Sequence, residues 1–189
     1  MNTAIRRRRT GQSTSSRRRP TQGPTAPMDR ITPERRSWNM SRVRSKNTKP
    51  ERAVQSLLHR MGYRFTLSRT DLPGKPDIVL PKHRTALFVH GCFWHQHPGC
   101  KHSGVPLSNR RYWRPKLRAN VERDANRQTD LLAAGWRTVV LWECQIEKDC
   151  QKVAQGLNQL LGQRKPRAKL YQLENGGLFT ASCAIRKGN

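Results

Sequence analysis

The sequence predicts an α/β fold in which a mixed β-sheet lies between helices. The first observation is the order of the elements, which runs helix, three strands, helix, strand, helix. The second is that Ile78–Leu80 and Ala86–Val89 are continuous apolar runs, a pattern typical of central strands covered on both faces, while Thr138–Trp142 also has the composition of a buried strand. Because that cover must come from helices, we expect helices on both sides of the sheet.

Helix signals dominate the chain up to Gly62. The run Thr32–Glu34 has an N-cap, an N1 proline and a first-turn acid, and it predicts a short basic helix that ends near Ser45. The run Thr48–Glu51 has capping-box spacing and predicts a second helix. One apolar stripe marks the inner face of that helix: Ala53, Val54, Leu57, Leu58 and Met61.

Strands and one long helix follow. We expect strands at Tyr63–Leu67, Asp77–Leu80 and Thr85–His90, with a turn at Leu72–Pro76. The next element is a helix over Arg111–Ala134. Its predicted inner side consists of Trp113, Leu117, Val121, Gln128, Leu131 and Leu132.

A fourth strand at Arg137–Glu143 and a helix at Gln151–Leu161 complete the predicted domain, which we place at residues 31–163. Residues 1–30 are rich in Arg, Ser, Thr, Gly and Pro and indicate a disordered basic arm. That arm is either a solvated tail, an artefact of a start upstream of Met28, or a segment that binds phosphates. Residues 164–189 form a basic C-terminal tail of uncertain structure.

The charge balance points to a polyanionic partner. Lys and Arg total 38 against 12 Asp and Glu, which gives a net charge of +26. Such a chain would repel itself without a polyanion, and nucleic acid is the leading candidate.

No apolar run of about 18 residues is present to span a membrane, and no secretory signal is found at the N-terminus. We therefore expect a soluble, cytoplasmic monomer with no membrane partner.

A cluster of metal-ligand residues follows the strand that ends at His90. Cys92, His97 and Cys100 offer two sulfurs and one nitrogen, which suit tetrahedral zinc. Cys144 follows the neighbouring strand and can supply the fourth ligand. His102 is an alternative to His97, and reduced cysteines that only pack as small apolar groups are the alternative to zinc. A zinc with four protein ligands is structural, so a catalytic metal must lie elsewhere.

Several residues near this cluster have the chemistry of a hydrolytic site. Asp77 begins a central strand, where it is either a turn residue or the ligand of a catalytic cation. His90 and His95 are not needed by the zinc, and each can act as a general base or be a core histidine. Glu51 is either the capping-box partner of Thr48 or a residue that orients a catalytic histidine.

The long helix carries a third group of candidates. Trp113, Asn120 and Asp124 recur along one stripe; helix amphipathicity explains the tryptophan easily but the aspartate poorly. Phe93 and Trp94 lie in the loop after His90 and are either core residues or aromatic groups that wedge between base pairs.

Taken together, these residues resemble the very-short-patch repair endonuclease family, which nicks DNA at T:G mismatches left by deamination of 5-methylcytosine. The resemblance covers about Met28 to Ile146. It is carried by five motifs, namely Met40–Thr48, Leu72–Asp77, His90–His95, Asn120–Asp124 and Trp142–Cys144.

The resemblance implies a restriction-endonuclease-like core with a structural zinc and a catalytic magnesium. It assigns the magnesium to Asp77 and the backbone carbonyl of Val89, and the general base to His95. Glu51, His90 and Asp124 match the other active-site positions. The zinc ligands match Cys92, His97, Cys100 and Cys144, and the groups that contact DNA match Met40, Phe93, Trp94 and Trp113, to which the helix stripe adds Asn120.

Two departures from the family pattern are present. Val89 stands where the best-known form has a threonine, so a hydroxyl is lost while the backbone carbonyl is kept. The loop His97–Cys100 is one residue longer.

The resulting prediction is a magnesium-dependent endonuclease for double-stranded DNA with a T:G mismatch. Its alternatives are a restriction-type endonuclease of the same fold and a non-catalytic zinc protein that binds DNA. Recruitment by other repair proteins is left open.

Overall fold

The computed structural model describes residues 32–43, 46–162, 169–174 and 177–181. The predicted basic arm lies outside these ranges. The helices are α1 (Pro33–Ser41), α2 (Lys49–Arg60), α3 (Arg110–Ala133), α4 (Glu143–Lys148) and α5 (Cys150–Leu161). The strands are β1 (Thr66–Leu67), β2 (Ile78–Leu80), β3 (Thr85–His90), β4 (Arg137–Trp142), β5 (Leu170–Glu174) and β6 (Gly177–Ala181).

The strands form one mixed sheet in sequence order from β1 to β6. The pairs β1–β2, β2–β3 and β5–β6 are antiparallel, whereas β3–β4 and β4–β5 are parallel. The parallel pair β3–β4 is joined through α3, as a parallel connection requires. The prediction of a mixed α/β sheet between helices is confirmed.

Helices cover both faces of the sheet. On one face α2, α4 and α5 pack against strand residues that include Leu87 and Leu141. On the other face α3 and the loop after β3 pack against residues that include Phe88 and Val140. Every residue of β3 and β4 is buried, which confirms that the apolar runs are central strands.

The helix starts follow the predicted capping chemistry. The hydroxyl of Thr32 accepts a hydrogen bond from the Arg35 amide at 3.3 Å, and that of Thr48 accepts one from the Glu51 amide at 3.4 Å. The Glu51 carboxylate in turn accepts from the Thr48 hydroxyl and the Asn47 amide, both at 2.8 Å. These bonds satisfy amides that an uncapped helix end leaves without partners.

Four features differ from the sequence prediction, and the first is that the strand expected at Tyr63–Leu67 is confined to Thr66–Leu67. α4 follows β4 directly and was not predicted. The sheet also continues through β5 and β6, in the segment whose structure the sequence left uncertain. Val121 was wrongly placed inside, because it is 42% exposed while Asn120 and Asp124 on the same helix are buried. At this point α3 borders a polar cleft rather than the apolar core, so polar side chains face inward.

Among the described residues, no helix has both the length and the apolar composition needed to cross a membrane.

Candidate active site and metal centre

A cleft of about 1100 Å³ opens at the carboxyl ends of β3 and β4. These strands are parallel, with His90 paired to Trp142, so both end at the same edge of the sheet. The walls come from α1, the start of α2, the turn before β2, the loop after β3, and α3. Residues from distant parts of the chain therefore converge on one volume, the usual arrangement of a binding site.

Asp77 lies at the base of this cleft, just before β2. Its carboxylate accepts a hydrogen bond from the Val89 amide at 2.8 Å. Burial raises the pKa of Asp77 to about 6, the charge of Glu51 adds to the rise, and the bond from Val89 opposes it. Asp77 is thus a carboxylate held in place by Val89, and its charged form is disfavoured overall by burial.

His95 and Asp124 form the closest polar pair in the cleft. The Nδ1 atom of His95 lies 2.5 Å from Asp124 Oδ2. Burial by itself raises the pKa of Asp124, but the hydrogen bond and charge of His95 lower it overall. An aspartate bonded to one ring nitrogen fixes the orientation of an imidazole and leaves Nε2 as the nitrogen that can exchange a proton.

His90 lies beneath this pair. Its ring stacks on that of His95 with centroids 3.9 Å apart, and it is only 5% exposed. Burial lowers the pKa of His90 to about 3, and the neighbouring His95 contributes to that shift. His90 is therefore a neutral platform for the His95 ring at ordinary pH.

The loop that carries His95 is held by its own backbone. The His95 amide donates to the Gly91 carbonyl at 3.1 Å, and the His97 amide donates to the Cys92 carbonyl at 3.0 Å. The buried side chain of Asn120 donates to the Trp94 carbonyl at 3.1 Å. This hydrogen bond ties the loop that carries His95 to α3, four residues before Asp124. It therefore helps to hold His95 and Asp124 beside each other.

Four metal-ligand side chains meet behind the loop. Ligand atoms of Cys92, His97, Cys100 and Cys144 all lie within 4.8 Å of one another. The Nδ1 atom of His97 is 3.6 Å from the Cys92 sulfur and 3.3 Å from the Cys144 sulfur. His102 is not part of this group. Burial raises the pKa of Cys92 to about 12 and also raises the pKa of Cys144, so both thiols hold their protons unless a cation displaces them.

Aromatic rings form one wall of the cleft. The Phe93 ring lies 5.0 Å from Trp94 and 5.4 Å from Trp113, measured between centroids. Tyr112 extends the cluster, 5.2 Å from Trp113. Met40 of α1 is 40% exposed and lines the same cleft. The cleft is thus bordered by flat and flexible apolar groups of the kinds that contact unstacked bases.

The candidate residues named from the sequence fall into two neighbouring groups. Cys92, His97, Cys100 and Cys144 form the Cys/His cluster, while the cleft contains Met40, Glu51, Asp77, Val89, His90, Phe93, Trp94, His95, Trp113, Asn120 and Asp124. Sequence reasoning did not single out five charged residues that also line the cleft: Lys75, Lys116, Arg123, Arg127 and Glu143. Helical spacing from Asp124 could have indicated Arg127, which lies three residues further along α3.

Comparison with known proteins identifies relatives of this chain. The family model described as DNA mismatch endonuclease Vsr matches residues 28–102. The type II nicking enzyme V.XorIIP of Xanthomonas oryzae pv. oryzae is 57% identical over 118 residues, which are 62% of this chain and 86% of the relative. The type II nicking enzyme V.NmeAIP of Neisseria meningitidis is 40% identical over 119 residues, 63% of this chain and 84% of the relative. The DNA mismatch endonuclease Vsr of Escherichia coli is 39% identical over 111 residues, 59% of this chain and 70% of the relative.

These matches define the class of the protein, which is a DNA endonuclease. The chain belongs to the Vsr family of very-short-patch repair endonucleases. The resemblance stated from the sequence motifs is confirmed.

Proposed function

We propose that the chain nicks double-stranded DNA beside the T of a T:G mismatch, the step that begins very short patch repair. The observation that carries the proposal is the His95–Asp124 pair, which shares a cleft with the half-buried carboxylate Asp77. A base and a metal-ligand carboxylate are the two components that metal-assisted phosphodiester hydrolysis requires. We further propose that the core is restriction-endonuclease-like and that the enzyme acts on chromosomal DNA in the cytoplasm.

The catalytic metal we propose is magnesium, with Asp77 and the Val89 backbone carbonyl as its protein ligands. The raised pKa of Asp77 supports this assignment, because burial and the charge of Glu51 disfavour the ionised carboxylate, and a bound cation would favour it. Hard oxygen donors are the ligands that magnesium prefers. The ion would supply Lewis-acid stabilisation of the charge that develops on the phosphate.

His95 is the proposed general base. Asp124 holds its Nδ1 atom, so Nε2 takes the proton of the attacking water while the aspartate stabilises the charged ring that results. His90 is too buried to meet the water, at 5% exposure, and its low pKa keeps it neutral. Its proposed role is to support the His95 ring from behind, while Glu51 adds negative charge beside Asp77.

The Cys/His cluster is the proposed structural zinc site. A tetrahedral zinc with ordinary bond lengths separates a sulfur from a nitrogen ligand by about 3.5 Å, close to the observed 3.3 and 3.6 Å.

We expect Cys144→Ser to release zinc at lower chelator concentration than the wild type. The control is Cys150→Ser, since Cys150 packs against the core outside the cluster. Equal zinc loss in both variants would contradict Cys144 as a ligand.

Mismatch selection is assigned to the aromatic wall and Met40. A wobble pair costs less to unstack than a Watson–Crick pair, so Phe93, Trp94 and Trp113 can wedge beside it more readily. Asn120 supports this role indirectly, since its amide holds the Trp94 carbonyl. The names of the type II nicking enzymes among the relatives favour cleavage of one strand.

The test is a nicking assay on T:G, other mismatched and fully matched duplexes, with and without magnesium. Cleavage of T:G alone, dependent on magnesium, is expected. Asp77→Ala and His95→Ala should abolish nicking while mismatch binding survives, and Trp94→Ala should lose mismatch preference first. Nicking of matched DNA at one sequence would instead support a restriction-type target, and folded protein without nicking would support a binding role only.

A further inference from the structure

One arginine of the cleft, Arg127, takes no part in the chemistry described above. It lies on α3 one turn beyond Asp124, and its side chain lines the same cleft as Asp77. Within the described ranges its guanidinium has no hydrogen bond or ion pair. Arg123, one turn earlier, is by contrast engaged with Asn120 at 2.8 Å.

The stem of Arg127 is held in place by Gly74, in the turn that leads to Asp77. A Cβ atom added to Gly74 would lie 2.8, 3.1 and 3.2 Å from Cβ, Cγ and Cδ of Arg127. The first three side-chain carbons of the arginine therefore pass directly over the glycine backbone. A cation with a fixed stem loses less conformational entropy on binding than a free surface side chain.

Arg127 differs in this respect from the two lysines of the cleft. Lys75 and Lys116 are both exposed, whereas Arg127 is half-buried beneath the turn. A guanidinium keeps its charge at any ordinary pH and presents a planar fork of donors that matches two oxygens of a phosphate. A guanidinium group that is charged, held in place and without a protein partner is suited to bind an anionic ligand that enters the cleft.

We propose that Arg127 binds a backbone phosphate of the DNA in the cleft, and that Gly74 is needed there because a side chain would displace the arginine stem. This inference rests on the proposed function, since it takes the cleft as the place where DNA lies during cleavage. The phosphate contact would fix the duplex relative to Asp77, which the same turn carries.

The experiment measures equilibrium binding of a matched duplex without divalent cations, over a range of salt concentrations. Arg127→Met keeps carbons against Gly74 and removes the charge, and Arg127→Lys keeps the charge. The control is Arg118→Met on the same helix, because the Arg118 side chain is 82% exposed and paired with Glu122. Control and test variants thus change the net charge equally.

We expect Arg127→Met to weaken binding about tenfold, the usual effect of losing one charge-assisted contact. The slope of log K against log salt should fall in magnitude by about 0.9, as for one phosphate contact. Arg127→Lys should retain the slope, and Arg118→Met should change neither quantity appreciably.

An unchanged slope in Arg127→Met, or an equal loss in Arg118→Met, would overturn the inference. If Arg127→Met lowers the melting temperature but leaves the slope unchanged, the arginine has a packing role only. That outcome would also overturn the inference. Because the assay needs no cleavage, its result is separate from the proposed function. A protein that nicks no T:G duplex but shows the expected slopes would lose that function and keep this phosphate contact.

Discussion

Individual residues of the cleft are held in environments that oppose their charged forms. Asp77 has its pKa raised to about 6 and His90 has its pKa lowered to about 3, in both cases chiefly by burial. Buried groups of this kind reduce the stability of the fold and occur most often at functional sites. This loss of stability should be measurable as a dependence of the free energy of unfolding on pH.

We predict that Asp77→Asn stabilises the metal-free protein at pH 7.5. The folded-state pKa of Asp77 lies above the unfolded value, so the folded state holds the proton more tightly and loses stability as pH rises from about 4 to 6. A shift of about two pKa units corresponds to at most about 3 kcal/mol. Urea unfolding at pH 7.5 and pH 3.5 should show the gain at the higher pH only.

Magnesium provides the control for this prediction. It should raise the stability of the wild type, because a ligand that binds only the folded state stabilises it, and it should leave Asp77→Asn unchanged. A variant less stable than the wild type at pH 7.5 would show that the hydrogen bond to Val89 outweighs the burial of charge.

At the scale of elements, the turn between β1 and β2 is the part of the site under most conformational constraint. Gly74 and Lys75 both have left-handed backbone angles, with φ of +76° and +50°. Glycine adopts this conformation freely and lysine does not. Since Gly74 also packs against Arg127 of α3, the turn that leads to Asp77 and the helix that carries Asp124 share one tight contact.

We therefore predict that Gly74→Ala harms both stability and nicking, whereas Gly62→Ala harms stability alone. Gly62 has a φ of +79° but nothing within 4 Å of an added Cβ, so it carries the same backbone strain without the clash. That strain costs about 1–2 kcal/mol, and overpacking at Gly74 adds about 1–3 kcal/mol. Urea unfolding and single-turnover nicking would measure the two effects. Equal losses in both variants would show that the contact with Arg127 has no role.

The elements with clear periodicity or capping were predictable from the sequence. β3 has the bounds expected from its apolar run, and both early helices begin at the threonines expected to cap them. The Cys/His cluster could also be anticipated, because Cys92 and Cys144 each follow a buried strand. In parallel neighbours such strands end at the same edge of the sheet.

Other features depended on tertiary contacts that no local pattern encodes. α4 has only six residues and starts directly after β4, so it offers too few turns for a helical period. The inner face of α3 was predicted from apolar residues, whereas part of it faces the cleft through Asn120 and Asp124. The contact of Arg127 with Gly74 joins residues far apart in the chain, and a single sequence contains no signal for it.

For the whole molecule, the distribution of charge is uneven. The chain carries a net charge of +26, yet four of its 12 acidic residues line the cleft: Glu51, Asp77, Asp124 and Glu143. The basic exterior attracts DNA over long range. The same cleft also contains four basic residues, so its formal charges balance and long-range attraction comes from the rest of the surface. Recruitment of DNA should therefore depend on salt, and cleavage on the arrangement of groups within the cleft.

Deleting residues 1–27 removes seven arginines and should separate recruitment from cleavage. We expect weaker binding to any duplex and a shallower dependence of affinity on salt, because fewer counterions are released. Nicking at saturating protein should persist. Titrations of matched duplex at several salt concentrations, together with single-turnover nicking, would measure both effects. Complete loss of nicking at saturation would place the arm within the catalytic site.

The meeting of Cys92 and Cys144 also has a consequence for the rate of folding. Each residue follows the end of one of two adjacent parallel strands, which about 50 residues of chain, including α3, separate in sequence. Bringing such distant segments together is an entropically slow step. A zinc ion that binds both sulfurs early would hold the two strand ends together while α3 packs. Refolding from urea should then be faster with zinc present from the start than with zinc added after the sheet has formed.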